Sequence, residues 1–384
     1  MANFFDYIEW RDIEISKVEF NEVDSAILSR FAYFPLEYLG LETKKMTIEE
    51  SYKKFKKSEK KGHAVMLRDL KFFPVLAQSK RFGKLVISNF VRNIDTEVEK
   101  QFSAIVVELP DNTICVCYEG TDNTIIGWKE DFNMSYMSQV PAQVEAVDYL
   151  NKIANIYKAK RIRILGHSKG GNLAVYSAIF CNKDILDRII EIYNFDGPGF
   201  HKEVINSKEF KNIKNKTKRY IPQDSVIGRL LNHDGETVAL KSSETGIMQH
   251  DSYSWQLIGD HFIEDKTTTS SEYIDTTLTD WLNKESQEQR ERFVNILFEI
   301  INTTGATTLA EMSSKKLETA QVLLKSYSNI DKKDKELLSK SLSILFQVAR
   351  ENIKIPKPSL AKLPKPDFKK LPKDLKLFNK KGEK

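Results

Sequence analysis

The segment RIRILGHSKGGNLAVYSAIF, residues 161–180, carries the strongest indication of the fold in this sequence. It begins as a short apolar run at 162–165, passes through a glycine-rich turn and continues as an apolar helical stretch. In the turn, Gly166 and Gly170 flank Ser168 in the pattern G-x-S-x-G. A sharp turn between a strand and a helix lifts such a serine clear of the sheet, and glycines permit the crowded backbone. We therefore expect Ser168 to be a nucleophile at the amino end of a helix, where N–H groups face developing negative charge.

Strand-like and helical segments alternate around this turn. The β-branched runs SAIVVEL and TICVCYE are joined by Pro110-Asp111-Asn112, which predicts a hairpin. A helix is predicted at about residues 140–158, with Pro141 near its first turn. Further along, RIIEIYNF, KRYIP and ETVAL each read as a strand followed by a loop. The alternation predicts an α/β-hydrolase fold, with a mostly parallel central sheet flanked by helices.

The 384 residues exceed what one hydrolase core needs, so we expect additions at both ends. Four parts are predicted: a mostly helical N-terminal region packing on the core at 1–100, the hydrolase core at 101–284, a C-terminal helical region at 285–352, and a disordered tail at 353–384. The tail is rich in proline, which excludes a regular helix.

Positive charge is concentrated in that tail. Residues 354–384 hold eleven lysines and three acidic residues, a net charge of +8, so the remaining residues carry −3 of the total of +5. A slightly acidic body is not expected to bind nucleic acid. Leucines and phenylalanines among the lysines suit contact with an anionic membrane surface, and the alternative is a solvated, unstructured end.

The cysteine content and the first residues point to a cytoplasmic protein. Cys115 and Cys117 lie two apart in a strand-like run, where they share one face as small apolar side chains. With Cys181 as the only other cysteine, neither a zinc site nor a disulfide framework is expected. The first fifteen residues lack a basic start and an apolar stretch, so we expect no signal peptide.

A serine nucleophile needs a base, and in this topology a histidine follows the serine and the acid. His250, in GIMQHDSYSW, lies in a loop after a strand and is the preferred base. His261 is its main competitor, and His233 is expected to be solvated in a turn. His167, inside the G-x-S-x-G turn, is expected to pack or hydrogen-bond locally.

Two aspartates that follow strand ends compete for the role of the acid. Asp224, in YIPQDSVIG, is preferred because the acid usually lies one strand nearer to the histidine. Asp196, in NFDGPGF, also suits the role, and its alternative interpretation is a turn former beside Gly197. The oxyanion donors are expected to be the N–H of Lys169 and Thr121, which could offer both its N–H and its hydroxyl.

Several of these segments resemble class 3 (fungal-type) lipases. The segment YEGTDNTIIGWKEDF is similar to the oxyanion loop of that family, LGHSKGGNLA to its nucleophile turn, and FDGPGF to a Gly/Pro loop. The segments YIPQDSVIG and GIMQHDSYSW resemble its acid and histidine loops. The resemblance covers about residues 100–262 and is strongest to a bacterial branch of lipase-like proteins without an assigned substrate. It implies a triad of Ser168, Asp224 and His250, with Thr121 as an oxyanion residue. The chain departs from it at Lys169, where the family usually has a small or apolar residue.

The sequence thus predicts a serine esterase, lipase-like, that cleaves a small-molecule or lipid carboxylic ester through an acyl-enzyme. Neither a metal nor an organic cofactor is needed for this chemistry. A thioesterase or peptidase would share the same machinery. The other alternative is an inactive hydrolase-fold scaffold whose basic tail binds a membrane or a partner.

Overall fold

The computed structural model describes residues 2–352 except 61, 63, 64, 269–275, 277, 279, 280 and 283. The strands are β1 Met46–Thr47, β2 Val86–Asp95, β3 Lys100–Glu108, β4 Thr113–Tyr118, β5 Arg161–His167, β6 Ile189–Phe195, β7 Thr217–Pro222, β8 Thr237–Leu240, β9 Leu257–Ile258 and β10 His261–Phe262. The helices are α1 Phe4–Trp10, α2 Glu22–Phe31, α3 Ile48–Lys57, α4 Leu67–Gln78, α5 Ile125–Asn133, α6 Pro141–Ile156, α7 Lys169–Phe180, α8 Lys183–Leu186, α9 Lys202–Ile205, α10 Lys208–Ile213, α11 Gln287–Asn302, α12 Leu309–Ser314, α13 Lys316–Asn329 and α14 Lys332–Asn352. The predicted tail at 353–384, with its membrane contact, lies outside the described residues.

Strands β1 to β8 form one sheet in which their spatial order follows their order along the chain. Neighbours among β1 to β4 are antiparallel, whereas β4 to β8 are parallel. The predicted hairpin is the β3–β4 pair, with Val106 opposite Val116. Helix α6 occupies the predicted position, and helices flank the sheet. The predicted α/β-hydrolase fold, with a mostly parallel central sheet, is confirmed.

The two faces of the sheet are covered by different parts of the chain. Each connection between parallel strands advances by one position in the same direction. Because such crossovers are right-handed, their helices collect on one face. There α6, α7 and α10 share a buried cluster with Val116 and Ile164. The other face belongs to the N-terminal helices, and both Cys115 and Cys117 point to it as free thiols, on one face as predicted.

The N-terminal region is part of the sheet as well as its cover. Strands β1 and β2 extend the antiparallel side of the sheet, and β3 begins at Lys100. The sheet therefore starts well before the boundary predicted between residues 100 and 101. Strand β2 reads VISNFVRNID and is partly buried along much of its length. Its polar residues break the apolar pattern by which a strand is recognised in a sequence.

Two buried ion pairs join the elements of the N-terminal region. Arg30 donates from Nε to Asp69 Oδ1 at 2.7 Å and from Nη2 to Oδ2 at 2.5 Å. Arg81 donates from Nε to Asp24 Oδ1 at 2.6 Å. All four side chains are buried. Loss of one partner leaves a buried charge unpaired, at a cost of about 3–5 kcal/mol.

The C-terminal helices pack on α5 and approach the histidine loop. Phe293 and Phe298 of α11 form an apolar cluster with Phe132 of α5. Backbone hydrogen bonds join the segment at the start of α5 to the segment at the start of α12. Ile125 N–H donates to the Thr307 carbonyl, and Leu309 N–H donates to the Asn123 carbonyl. Helix α14 packs against a 3₁₀ turn at Gly246–His250. In the part of the chain that the structure describes, no helix has the length and apolar character needed to cross a membrane.

Candidate active site

Ser168 occupies the bend between β5 and α7. Its backbone has φ 59° and ψ −134°, a conformation that is strained for a residue with a side chain. Two backbone hydrogen bonds hold the bend. Ser168 N–H donates to the Phe195 carbonyl at 2.9 Å, and Gly171 N–H donates to the Ser168 carbonyl at 2.9 Å. Such strain persists only where the surroundings impose it, and it concentrates at functional sites.

The glycines of this turn have no room for a side chain. A Cβ atom at Gly166 would collide with the Gly170 carbonyl, and one at Gly170 would collide with the Tyr118 carbonyl. A Cβ atom at Gly171 would collide with the Asn194 side chain. Glycine inside a helix costs about 1 kcal/mol relative to alanine. Gly170 and Gly171 nevertheless occupy the first turn of α7, because β4 and β6 pass too close to this turn for a side chain.

His250 and Asp196 form a hydrogen-bonded pair beside the bend. Nδ1 of His250 lies 2.6 Å from Oδ2 of Asp196. Because a carboxylate oxygen can only accept, Nδ1 carries the proton and Nε2 is the basic nitrogen. Asp196 is fully buried, and its Oδ1 accepts a hydrogen bond from the Ser225 hydroxyl at 2.5 Å. Both carboxylate oxygens are therefore committed, and the orientation of the imidazole is fixed.

The prediction of Asp224 as the partner of His250 is corrected by this geometry. Asp224 lies at the end of the next strand, but its Oδ2 accepts from Gln249 Nε2 at 2.9 Å, and its N–H donates to Gln249 Oε1 at 3.0 Å. The Thr268 hydroxyl bonds its other oxygen. Asp224 thus holds the residue before the histidine, whereas Asp196, the second candidate for the acid, contacts the imidazole.

The remaining histidine candidates do not take the place of His250. His261 is exposed and pairs with Glu22 at 3.1 Å and Asp260 at 3.0 Å. His167 is buried inside the turn, and its Nε2 donates to the His250 carbonyl at 2.8 Å. Burial, and secondly the nearby charge of His250, hold the pKa of His167 well below its usual value.

His167 connects the histidine loop to both the bend and the N-terminal region. The rings of His167 and His250 lie 4.6 Å apart between centroids, so His250 lies beside the residue that precedes Ser168. The Tyr33 hydroxyl, just after α2, donates to the His167 carbonyl at 3.0 Å and lies 3.2 Å from its Nδ1. Among the described residues Ser168 Oγ makes no hydrogen bond. It therefore forms no hydrogen bond with His250 Nε2 in this structure, and catalytic hydrogen bonds often shorten only when substrate is bound.

The loop after β4 passes directly against the serine. A Cβ atom at Gly120 would lie 3.0 Å from Ser168 Cβ and would collide with the Tyr33 hydroxyl. The next residue is Thr121, whose N–H has no acceptor among the described residues. The N–H of Lys169, the first residue of α7, likewise has none there. Two unpaired backbone donors thus lie in the segments that adjoin the serine, and unpaired N–H groups are the kind of donor that an oxyanion site uses.

The Thr121 hydroxyl is committed to a carboxylate that the sequence analysis did not single out. It donates to Oδ2 of Asp131 on α5. The other oxygen, Oδ1, is buried without a partner among the described residues. Burial raises the pKa of Asp131 to about 6, against the lowering effect of the nearby Lys169. With Asp131 ionised, Thr121 has only its N–H to offer. In the sequence, Asp131 could have been noticed as the second of the two acidic residues that follow the tryptophan in YEGTDNTIIGWKEDF.

The described residues contain no group of three or more His, Cys, Asp or Glu side chains that could hold a metal ion.

Comparison with known proteins identifies the family of this chain. No curated protein matches the sequence. Among solved structures, the chain is similar to M37 lipase at 15% identity, covering 54% of this chain and 68% of that one with a TM-score of 0.35. It is also similar to Lip2 lipase from Yarrowia lipolytica at 10% identity, covering 65% and 90% with a TM-score of 0.33. A family model described as Mbeg1-like matches residues 76–299, more than half of the chain and all of the loops described above. The chain belongs to the Mbeg1-like family.

Proposed function

We propose that this protein is a serine hydrolase that cleaves a carboxylic ester, with Ser168 as nucleophile, His250 as base and Asp196 as the acid that orients the base. The observation that carries the proposal is the His250 Nδ1 to Asp196 Oδ2 contact of 2.6 Å beside a serine on a strained bend. An imidazole held in this tautomer presents a basic Nε2, which is what a neutral serine needs to become a nucleophile.

The reaction follows from these groups. Ser168 Oγ attacks the ester carbonyl carbon while His250 Nε2 takes the hydroxyl proton, and the carbonyl oxygen becomes an oxyanion. Collapse of this intermediate breaks the bond to the alcohol oxygen, and the imidazolium returns the proton to that oxygen. Water then attacks the acyl-enzyme with His250 again as base, which releases the acid and restores Ser168. Asp196 stays ionised and stabilises the imidazolium.

The oxyanion is held by the N–H groups of Thr121 and Lys169. Both are unpaired among the described residues; Lys169 follows Ser168 in the chain, and Thr121 follows Gly120, whose Cβ position lies 3.0 Å from Ser168 Cβ. Removal of one donor from such a site typically costs about 10²- to 10³-fold in kcat. The positive end of α7 adds to the field at the same point.

An apolar acyl group suits the surroundings of the histidine. Ile247 and Met248 lie in the turn that carries His250, and they are 48% and 61% exposed. Exposed apolar side chains at the rim of a site favour an apolar ligand. Together with the resemblance to class 3 lipases, this supports a lipid-like ester in preference to a short, polar one.

Covalent labelling tests the nucleophile. A fluorophosphonate probe should label the wild-type protein at Ser168 and should not label Ser168→Ala. Ser177→Ala is the matched control, because Ser177 lies on the same helix α7 and is fully buried, with its hydroxyl donating to the Ala174 carbonyl, and the labelling of this variant should equal that of wild type. Correctly folded wild-type protein that does not react would contradict the proposal and favour an inactive scaffold.

Hydrolysis of p-nitrophenyl esters tests the substrate class. We expect kcat/KM to rise from acetate to octanoate, because a longer acyl chain buries more apolar surface, at about 0.8 kcal/mol for each CH₂ group that is fully buried. Equal kcat/KM values across the series would refute the apolar acyl group while leaving the nucleophile in place.

A further inference from the structure

The Lys169 side chain is a buried cation that the proposed reaction does not use. Its ammonium donates to the Gln101 carbonyl at 2.9 Å, to Gln101 Oε1 at 2.5 Å and to Glu130 Oε2 at 2.9 Å. The side chain is 1% exposed, and Glu130 is fully buried. An ammonium has three N–H donors, so all of them are satisfied here. A group so costly to bury is kept only where its partners compensate it.

Gln101 carries the effect of the lysine to the loop after β4. Its Nε2 donates to the Gly120 carbonyl at 3.2 Å. The assignment of its amide atoms follows from chemistry: the ammonium can only donate and must face Oε1, while the Gly120 carbonyl can only accept and must face Nε2. The backbone N–H of Gln101 donates to Glu130 Oε2 at 3.0 Å, which closes the network.

The Gly120 carbonyl belongs to the same peptide group as the Thr121 N–H. A trans peptide is planar, with its C=O and N–H pointing in opposite directions. A hydrogen bond that holds the Gly120 oxygen therefore also sets the direction of the Thr121 N–H. That N–H is unpaired among the described residues, and it lies in the loop that touches Ser168.

We propose that Lys169 and Gln101 are positioning residues for the oxyanion site. Lys169 offers one donor through its own N–H, and its ammonium holds the Gln101 amide that orients the peptide carrying the other donor. A single residue of the turn is thereby tied to both donors. The inference rests on the proposed function. It also accounts for a lysine where class 3 lipases usually have a small or apolar residue.

The test measures the second-order rate constant for fluorophosphonate labelling, together with kcat and KM on a p-nitrophenyl ester. Gln101→Met removes both side-chain hydrogen bonds at similar length. We expect kcat and the labelling rate constant to fall about 10- to 100-fold, somewhat less than the loss of a whole donor, with KM within about 3-fold of wild type. A residue that positions a transition-state donor affects kcat and leaves ground-state binding unchanged.

Gln101→Glu separates positioning from support of the lysine. The carboxylate keeps an acceptor for the Lys169 ammonium, but it places a second acceptor against the Gly120 carbonyl. If Gln101 merely holds Lys169, this variant keeps its kcat, and the proposal is overturned. If it orients the peptide, kcat falls at least as far as in Gln101→Met. Gln101→Glu also tests the positioning role of Gln101 if Gln101→Met fails to fold.

Lys169→Met combined with Glu130→Gln tests the lysine without leaving a buried charge unpaired. We expect a kcat loss in the same direction, because the Gln101 amide loses its ammonium partner. An unchanged kcat would remove Lys169 from the proposal.

Arg81→Lys is the control for stability alone. It weakens a buried ion pair within the N-terminal region, so the melting temperature should fall while kcat stays at the wild-type value. Wild-type protein that fails to label would refute the proposed function. Wild-type protein that labels, with unchanged Gln101 variants, would refute this inference alone.

Discussion

The loops that follow β6 and β7 begin at neighbouring strand ends, and each carries an aspartate, yet they do different work. Asp196 contacts the imidazole of His250, and Asp224 contacts the amide of Gln249. The two recipients are consecutive residues of one 3₁₀ turn. Within this turn, one carboxylate therefore contacts a side chain that can ionise, and the other contacts a side chain that cannot.

The difference shows that a carboxylate acquires its role from the atom it touches. Asp196 is fully buried with φ 53°, a conformation that aspartate tolerates better than most residues. From that position it reaches Nδ1 and sets the tautomer. Asp224 forms two hydrogen bonds with one amide side chain and so holds the shape of the turn. One aspartate prepares the base, and the other supports the backbone that carries it.

Replacing the carboxylate on the imidazole should produce the largest contrast between the loops. Asp196→Asn is expected to lower kcat on a p-nitrophenyl ester by about 10³- to 10⁴-fold, because an amide does not enforce the productive tautomer or stabilise the imidazolium. The labelling rate constant should fall in parallel. A loss smaller than 10-fold, an order-of-magnitude threshold for a triad acid, would remove Asp196 from the proposed triad.

The corresponding change in the other loop should have a modest effect on kcat. Asp224→Asn keeps one oxygen as an acceptor, so we expect kcat within about 3-fold of wild type and a loss of roughly 1 kcal/mol in the free energy of unfolding. Denaturant unfolding and steady-state kinetics on the same preparation measure both quantities. If Asp224→Asn lost more activity than Asp196→Asn, the assignment of the two loops would be reversed.

The smallest effect is expected for substitution of His261, which lies outside the site. His261→Ala should leave kcat unchanged and reduce stability by a few tenths of a kcal/mol, as for an exposed ion pair. The hydrogen bond with Glu22 raises the pKa of His261 above 6.5. Its stabilising contribution is therefore complete below pH 6.5 and is lost as the pH rises through the raised pKa. Unfolding curves of variant and wild type at pH 5.5 and pH 8.5 should differ only at the lower pH.

Features encoded within a short segment were predictable from the sequence. The strand, turn and helix around Ser168, the β3–β4 hairpin and helix α6 all follow from apolar periodicity and from the glycines and prolines at their ends. A motif at a strand end likewise drew attention to the loop after β4, where Gly120 lies against Ser168. In each case the residues that decide the structure are close together in the sequence.

Features that depend on distant parts of the chain were not predictable in the same way. Strand β2 joins the sheet although its own pattern is weak, because β3 supplies its hydrogen bonds. The partners of the Lys169 ammonium lie on β3 and α5, 68 and 39 residues away along the chain. The sequence shows that a lysine occupies the turn, but not which acceptors satisfy it once it is buried.

A serine raised on a tight bend at the carboxyl end of a parallel strand is predictable from the residues around it, since glycine conformation and apolar spacing are local properties. The choice of the carboxylate that meets the imidazole depends instead on how distant segments pack together. Asp196 and Asp224 both follow parallel strands, and the path of the histidine turn brings His250 against Asp196 and Gln249 against Asp224. That path is set by packing and hydrogen bonds from several parts of the fold at once, which no single stretch of residues encodes.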